Sequence, residues 1–86
     1  MNMARVILTP AAQADVDDLP DAIYHRVLAI IERLEHWPAV SGAKPLRHAL
    51  AGRYRIRTGD YRVQFYVEGS TLIVEKVGHR DGFYED

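Results

Sequence analysis

The sequence predicts one α+β domain in which an antiparallel sheet packs on an N-terminal helical hairpin. Apolar residues recur at helical spacing over residues 10–37, whereas residues 53–77 hold three runs rich in β-branched and aromatic residues, separated by short turns. The chain has 86 residues, which is enough for one small domain. We therefore expect a single domain over residues 1–86 with the element order β-α-α-β-β-β.

The first half of the chain predicts a strand followed by two helices. Residues 3–8 include β-branched residues and favour a short strand. Thr9 has the residue type of a helix N-cap, and Pro10 suits the first position of the helix that follows. Pro20 interrupts this helix and opens a second one with a continuous apolar stripe, and Pro38 ends this second helix near residue 36 or 37.

The second half of the chain predicts a linking segment and then three strands. Residues 38–52 contain two prolines and two glycines and are interpreted as the link. Two-residue turns at Gly59-Asp60 and Gly69-Ser70 divide the remainder. The predicted strands cover residues 53–58, 61–67 and 71–77.

Strand alternation separates the arginines from the apolar residues in the first hairpin. With Gly59-Asp60 as the turn, Arg57 lies directly opposite Arg62, and Arg55 lies opposite Gln64. One face is apolar and suits burial under the helices; it carries Tyr54, Ile56, Tyr61, Val63 and Phe65. The other face carries Arg53, Arg55, Arg57, Arg62, Gln64 and Tyr66.

Charge is distributed unevenly, although the net charge is only −1. Residues 1–40 carry three arginines against six acids, whereas residues 44–66 carry six basic residues against one acid. Placing Arg57 opposite Arg62 is unfavourable, because like charges that face each other destabilise a sheet. A bound phosphodiester would compensate this repulsion, since guanidinium groups match phosphate geometry. The alternative is a solvated polar face whose arginines only prevent edge aggregation.

The segment after the last strand carries further polar groups. With Gly69-Ser70 as the turn, Arg62 faces Val77, which predicts that His79 and Arg80 lie beside Arg62. Acid–base chemistry needs titratable groups within hydrogen-bond reach, and RNA cleavage also needs stabilisation of a phosphorane. A purely structural role for the terminal histidine and tyrosine is the alternative.

Four motifs in sequence order resemble the RelE branch of the RelE/ParE toxin superfamily. They are Lys44-Pro-Leu-Arg47, Gly52-Arg-Tyr-Arg-Ile-Arg57, Gly59-Asp-Tyr-Arg-Val63, and Val77-Gly-His-Arg80 followed by Tyr84. The resemblance covers nearly the whole chain and implies the RelE-like fold. It implies a toxin of a type II toxin–antitoxin pair that inhibits translation by cutting mRNA in the ribosomal A site, without a metal or another cofactor. The implied partners are a cognate antitoxin and mRNA on the ribosome.

The resemblance also implies roles for individual residues. Arg62 and Arg80 match phosphate-binding arginines, and Tyr84 matches a catalytic tyrosine. Arg55 and Arg57 match basic strand residues that are lysines in the RelE prototype. The implied reaction is attack of a 2′-hydroxyl on the adjacent phosphate, which leaves a 2′,3′-cyclic phosphate and a free 5′-hydroxyl.

The arginines at positions 55 and 57, where the RelE prototype has lysines, change which residues are expected to transfer protons. A guanidinium is a good phosphate clamp but a poor general base, so proton transfer is expected to pass to His79 or Tyr84. The implied catalytic set is Arg55, Arg57, Arg62, His79, Arg80 and Tyr84.

Further residues are candidates for contact with mRNA or ribosomal RNA: Lys44, Arg47, Arg53 and Tyr66. Lys44 and Arg47 would extend the basic surface, and the alternative is that they are solvated loop residues. Tyr66 would stack on a base, although a half-buried sheet tyrosine is also compatible with the pattern.

Two other function classes remain open. A ParE-like protein shares the fold but poisons DNA gyrase and is not a nuclease. A basic binding module would bind an anionic partner without any chemistry. Cuts at codon positions in translated mRNA would identify the RelE type, whereas DNA-damage induction without cuts would identify the ParE type.

Composition excludes several kinds of site. The chain has no cysteine, so disulfides, thiol catalysis and cysteine–zinc sites are excluded. No metal site is expected, because the histidines lack partners at ligand spacing. No apolar run approaches the roughly 20 residues of a membrane helix, and the N-terminus has no signal pattern, so we expect a cytoplasmic protein without a membrane partner.

Overall fold

The computed structural model describes residues 3–83, which form a five-stranded sheet with two α-helices on one face. The elements are β1 (Arg5–Leu8), α1 (Pro10–Asp17), α2 (Asp21–Arg33), β2 (Lys44–Pro45), β3 (Arg53–Thr58), β4 (Tyr61–Glu68) and β5 (Thr71–His79). The strands lie in the order β1-β5-β4-β3-β2. This arrangement confirms the predicted α+β class.

The helical hairpin begins as the sequence predicts. The hydroxyl of Thr9 accepts a hydrogen bond from the backbone N–H of Ala12 at 3.1 Å, and Pro10 is the first residue of α1. Pro20 precedes α2, which has Asp21 in its first turn and Arg33 in its last, as the helix dipole favours. Within the described residues, neither helix is long and apolar enough to span a membrane.

The sheet is mixed, whereas the sequence predicts an antiparallel one. The meander of β3, β4 and β5 is antiparallel, but β1 joins the free edge of β5 in parallel, with Leu8 opposite Val74. A parallel pair needs a long crossover connection, and the helical hairpin together with the rest of the chain supplies it. The linking segment also contributes a short strand, β2, in which Lys44 pairs with Arg55.

The core lies between the helices and one face of the sheet. The residues predicted to face the helices are on that side: Ile56, Val63 and Phe65 are buried there. The helices contribute Ala12, Val16, Val27 and Ile30 to the core, and Leu34 joins them from the short 3-10 helix that follows α2. Trp37 packs edge-on against Tyr54 and Phe65, with ring centroids 4.8 and 5.3 Å apart, and closes the core after α2.

The register between β4 and β5 differs from the prediction. Arg62 lies opposite Gly78 and not opposite Val77, because β5 contains one extra residue at Glu75. The Glu75 carboxylate accepts hydrogen bonds from Gln64 Nε2 at 2.9 Å and from Arg53 Nε at 3.0 Å, contacts that stabilise the bulge. Every residue of β5 beyond the bulge therefore lies on the opposite face from the one predicted.

Candidate nucleic-acid interface

The side of the sheet away from the helices, here called the open face, carries most of the basic strand residues. Arg57 lies opposite Arg62 and Lys44 lies opposite Arg55, so two pairs of like charges face each other across neighbouring strands. The predicted register of the first hairpin is confirmed at every position from 55 to 64. The open face carries Lys44, Arg53, Arg55, Arg57, Arg62, Gln64, Tyr66 and Lys76.

Arg55 occupies a distinctive position on the open face. Its Nη1 atom is buried and has no hydrogen-bond partner within residues 3–83. A groove of about 430 Å³ lies beside it, lined also by residues 44–47, so Lys44, Arg47 and Arg55 border one space. A buried guanidinium nitrogen without an acceptor is costly, and the charge of Arg55 beside this groove favours an anion there.

Arg53 and Tyr66 belong to a cluster whose contacts are internal. The Arg53 guanidinium pairs with Glu75, and its central carbon lies 5.0 Å from the centroid of the Tyr66 ring. Glu75 places a negative charge on a surface that the sequence predicts to be basic. The prediction missed Glu75 because this residue is distant from residues 44–66 in sequence and joins them only through the bulge.

His79 does not lie on the open face. It pairs with Tyr61, whose ring it meets edge-on at 5.2 Å, and the alternation of β4 puts both on the helix side, opposite to Arg62. Its Nδ1 accepts a hydrogen bond from the backbone N–H of Asp81 at 3.1 Å, and Nε2 lies 4.0 Å from the carboxylate of Asp60. The prediction that His79 lies beside Arg62 is therefore wrong, and the bulge at Glu75 is the cause.

Arg80 lies at the tip of the first hairpin. Its backbone N–H donates to the carbonyl of Asp60 at 2.7 Å. Its Nε lies 3.8 Å from carboxylate oxygens of both Asp60 and Asp81, and the side chain is 59% exposed. Such exposed pairs hold a side chain weakly, so Arg80 is able to turn towards another anion.

The end of the described chain returns to the open face. Phe83 is only 3% exposed, and its ring covers Gly78, where a Cβ would lie 3.5 Å from the ring. The Lys76 ammonium lies 4.5 Å from the ring centroid and donates to the Phe83 carbonyl. None of the sequence motifs points to Phe83 as a site residue; its one signal is the glycine within a strand, which permits close approach. Tyr84 lies outside the described residues.

Residues 6–82 match the family model described as the ParE toxin of the type II toxin–antitoxin system parDE. The chain belongs to this toxin family. It is 30% identical over 84 residues to toxin RelE3 of Methanocaldococcus jannaschii, covering 94% of this chain and 96% of the relative. It is 34% identical over 85 residues to toxin RelG of Mycobacterium tuberculosis, covering 92% of this chain and 93% of the relative.

Solved structures agree with this assignment to the RelE/ParE toxins. The toxin–antitoxin complex RelBE2 of M. tuberculosis contains a chain similar to this one, with a TM-score of 0.80, 31% identity, and coverage of 93% of this chain and 94% of that one. The RelB–RelE complex of Methanococcus jannaschii contains another, with a TM-score of 0.75, 26% identity and coverage of 92% and 95%. The predicted membership of the RelE/ParE superfamily is confirmed, and the protein is a RelE-like toxin of the type II toxin–antitoxin class.

Proposed function

We propose that this toxin is a ribosome-dependent mRNA endoribonuclease, which inhibits translation without a metal or another cofactor. The observation that carries the proposal is the open face, where Arg57 lies opposite Arg62 and the buried Nη1 of Arg55 lacks an acceptor within the described chain. A phosphodiester on this face would offset the like charges of the paired arginines and bind the cationic side chain of Arg55.

The proposed reaction is attack of the mRNA 2′-hydroxyl on the adjacent phosphate. The phosphorane that forms carries more negative charge than the ground state, and fixed guanidinium groups stabilise that charge. We assign the scissile phosphate to Arg62 and Arg80, with Arg55 and Arg57 holding the neighbouring backbone. The 5′-oxygen leaves as a hydroxyl after it gains a proton, and the product is a 2′,3′-cyclic phosphate.

Proton transfer is assigned to Tyr84 in the first place and to His79 in the second. Tyr84 follows directly in the sequence after Phe83, which packs on the open face over the strand partner of Arg62. His79 lies on the helix side of the sheet, so it would reach the open face only around the end of β5. Tyr84→Phe is thus expected to slow cleavage by about 10²–10⁴-fold, and His79→Ala by less.

The proposed partners are the ribosome with its mRNA and a cognate antitoxin. Lys44 and Arg47 border the groove beside Arg55 and are assigned to RNA phosphates. Arg53 and Tyr66 are assigned a weaker role, because Glu75 already neutralises Arg53. An antitoxin partner is supported by the two similar chains, each of which was solved in a complex with an antitoxin.

Single-turnover cleavage of mRNA on programmed ribosomes tests the proposal. The wild-type toxin should cut mRNA in the A site, and the double variant His79→Ala with Tyr84→Phe should cut far more slowly. Cleavage by the double variant at the wild-type rate would remove both residues from proton transfer. No cleavage by the wild type would end the nuclease proposal.

Inhibition of DNA gyrase is the second candidate function, and the match to the ParE family model favours it. A supercoiling assay with purified gyrase distinguishes the two candidates. Inhibition of supercoiling together with intact mRNA would assign this chain to the gyrase inhibitors. Cut mRNA with unaffected supercoiling would assign it to the nucleases.

A further inference from the structure

The open face contains a buried amide that the proposed reaction does not use. Gln64 is only 5% exposed and is the one buried polar residue among residues 3–83. Its Nε2 donates to the Glu75 carboxylate at 2.9 Å, whereas its Oε1 is buried and has no hydrogen-bond partner within the described chain. Because nearly all buried polar groups in proteins are hydrogen-bonded, this oxygen marks a contact that is not made in the free toxin.

Glu75 fixes the orientation of this amide. A carboxylate only accepts hydrogen bonds, so Gln64 has to present its NH₂ group and not its carbonyl oxygen to Glu75. The Arg53 guanidinium donates to the same carboxylate at 3.0 Å and holds it in place. The Gln64 Oε1 atom therefore points away from Glu75.

Arg55 is the cross-strand neighbour of Gln64, and the backbone pairing brings the two residues close together. The Arg53 carbonyl accepts a hydrogen bond from the backbone N–H of Leu46, so Arg53 and Arg55 both direct their backbone polar groups towards β2. Arg55 and Gln64 thus form a non-hydrogen-bonded antiparallel pair, in which the Cα atoms are only about 4.5 Å apart. Their side chains lie next to each other on the open face.

The unsatisfied groups of these two side chains are complementary. The Arg55 Nη1 atom is buried without an acceptor, and the Gln64 Oε1 atom is buried without a donor, within residues 3–83. A guanidinium N–H and an amide oxygen form a charge-assisted hydrogen bond, and rotation of the side chains is enough to bring them together. The guanidinium has five N–H groups, so others would remain for an anion in the groove beside Arg55.

We propose that Glu75 is a positioning residue that acts through Gln64 on Arg55. Glu75 fixes the amide, and Gln64 Oε1 accepts a hydrogen bond from Arg55 Nη1 when Arg55 binds a phosphate of the mRNA. This bond aligns the guanidinium with the phosphate. The inference rests on the proposed function, in which Arg55 holds the RNA backbone next to the scissile phosphate.

A double-mutant cycle on the affinity for programmed ribosomes tests the contact between Gln64 and Arg55. Gln64→Leu removes the amide but keeps a side chain of similar size, and it should weaken binding about 10-fold. In the Arg55→Ala background, the same change should weaken binding less than about 2-fold, because the partner is already absent. Arg57→Ala is the matched control background, since Arg57 lies on the same strand but pairs with Arg62. There, Gln64→Leu should keep its full effect.

Glu75→Gln distinguishes positioning from a simple charge effect by the sign of the change. Loss of a negative charge from the open face would by itself strengthen binding to RNA. We expect binding about 3- to 10-fold weaker instead, because a glutamine at this position both donates and accepts and no longer fixes the Gln64 amide. Glu68→Gln is the matched control, because it removes an exposed acid from the same face of β4 and should bind at least as tightly as the wild type. Tighter binding by Glu75→Gln would overturn the inference.

Single-turnover cleavage provides a readout that a loss of folding would not imitate. Gln64→Leu should raise the ribosome concentration that gives half the maximal rate, while the maximal rate stays nearly unchanged, because Arg55 contacts the neighbouring backbone and not the reacting phosphate. Circular dichroism should show equal folding of the variants. A lower maximal rate at an unchanged half-saturating concentration would contradict a role in positioning Arg55.

The remaining outcomes separate this inference from the proposed function. If the wild-type toxin does not bind programmed ribosomes, the proposed function and this inference both fail. If the wild type binds and cuts, but Gln64→Leu has the same effect with and without Arg55, only this inference fails. If its effect disappears in the Arg62→Ala background instead, Gln64 positions Arg62, and the assignment to Arg55 is overturned.

Discussion

At the scale of single residues, the pairing of Arg57 with Arg62 is expected to oppose stability. The two arginines are partners across β3 and β4, an arrangement that costs stability unless other groups neutralise the charges. Arg57 is exposed, so its replacement removes little packing. A folded-state defect of this kind is expected where a surface is arranged for an anionic ligand.

Arg57→Thr should therefore stabilise the protein and weaken its binding to ribosomes. Threonine suits a strand and removes the repulsion, so the free energy of unfolding should rise by about 0.2–1 kcal/mol in urea titrations. The fraction of toxin that binds to ribosomes should be lower for this variant than for the wild type. A loss of stability would mean that Arg57 makes a favourable contact in the free protein.

Arg62→Ala and Arg80→Ala test the proposed phosphate clamp directly. Each variant should lower the single-turnover cleavage rate by about 10²–10³-fold, since each removes a charge that stabilises the transition state. Antitoxin affinity should stay nearly unchanged. Arg5→Ala, at the far edge of the sheet, should cut at the wild-type rate. Equal rates for Arg62→Ala and wild type would contradict the clamp.

At the scale of elements, the described residues after β5 pack back on the sheet through Phe83. Phe83 packs over Gly78, and Lys76 contacts both its ring and its carbonyl. A Cβ at position 78 would make an ordinary contact with the ring at 3.5 Å, so a side chain larger than alanine would press against the ring. The bulge at Glu75 makes this possible, since it turns Gly78 and not Val77 towards the open face.

Gly78→Val should displace Phe83 and slow mRNA cleavage, while Phe83→Leu should retain most of the cleavage rate. Phe83→Ala should lower the free energy of unfolding by less than the about 3–5 kcal/mol of a core phenylalanine, because a terminal segment can detach locally. Urea unfolding and single-turnover cleavage measure the two effects. An unaltered cleavage rate in Gly78→Val would show that the packing of Phe83 over position 78 is not needed for catalysis.

At the scale of the whole molecule, two cationic surfaces lie on either side of the sheet and share Arg57. The open face combines β2, β3 and β4, while a groove between α2 and β3 joins Arg57 to Arg26 and Arg33 from the otherwise acidic first half. The small net charge conceals both surfaces. Local potential and not net charge is therefore expected to decide which partners bind.

Ribosome binding should fall steeply with salt because phosphate contacts release counterions from RNA. Each phosphate contact removed, by Arg55→Gln or Lys44→Gln, should lower the slope of log affinity against log salt by about one. Glu68→Gln, which changes an exposed acid at the end of β4, should leave the slope nearly unchanged. A flat salt dependence of the wild type would contradict phosphate recognition by the open face.

The sequence by itself determined the features that depend on near neighbours. Thr9 and Pro10 start α1, and Gly59-Asp60 sets the register that puts Arg57 opposite Arg62, because caps and tight turns are short-range interactions. Strand alternation then separated the buried residues from the arginines. The motif order was also sufficient to predict the toxin superfamily.

Only the tertiary structure decided the features that join distant segments. The bulge at Glu75 is stabilised by Arg53 and Gln64, and it reverses the faces of Gly78 and His79. The parallel pairing of β1 with β5 likewise depends on long-range contacts. An alternating pattern contains no signal for one extra residue, since its stability comes from side chains that are brought close only after the sheet forms.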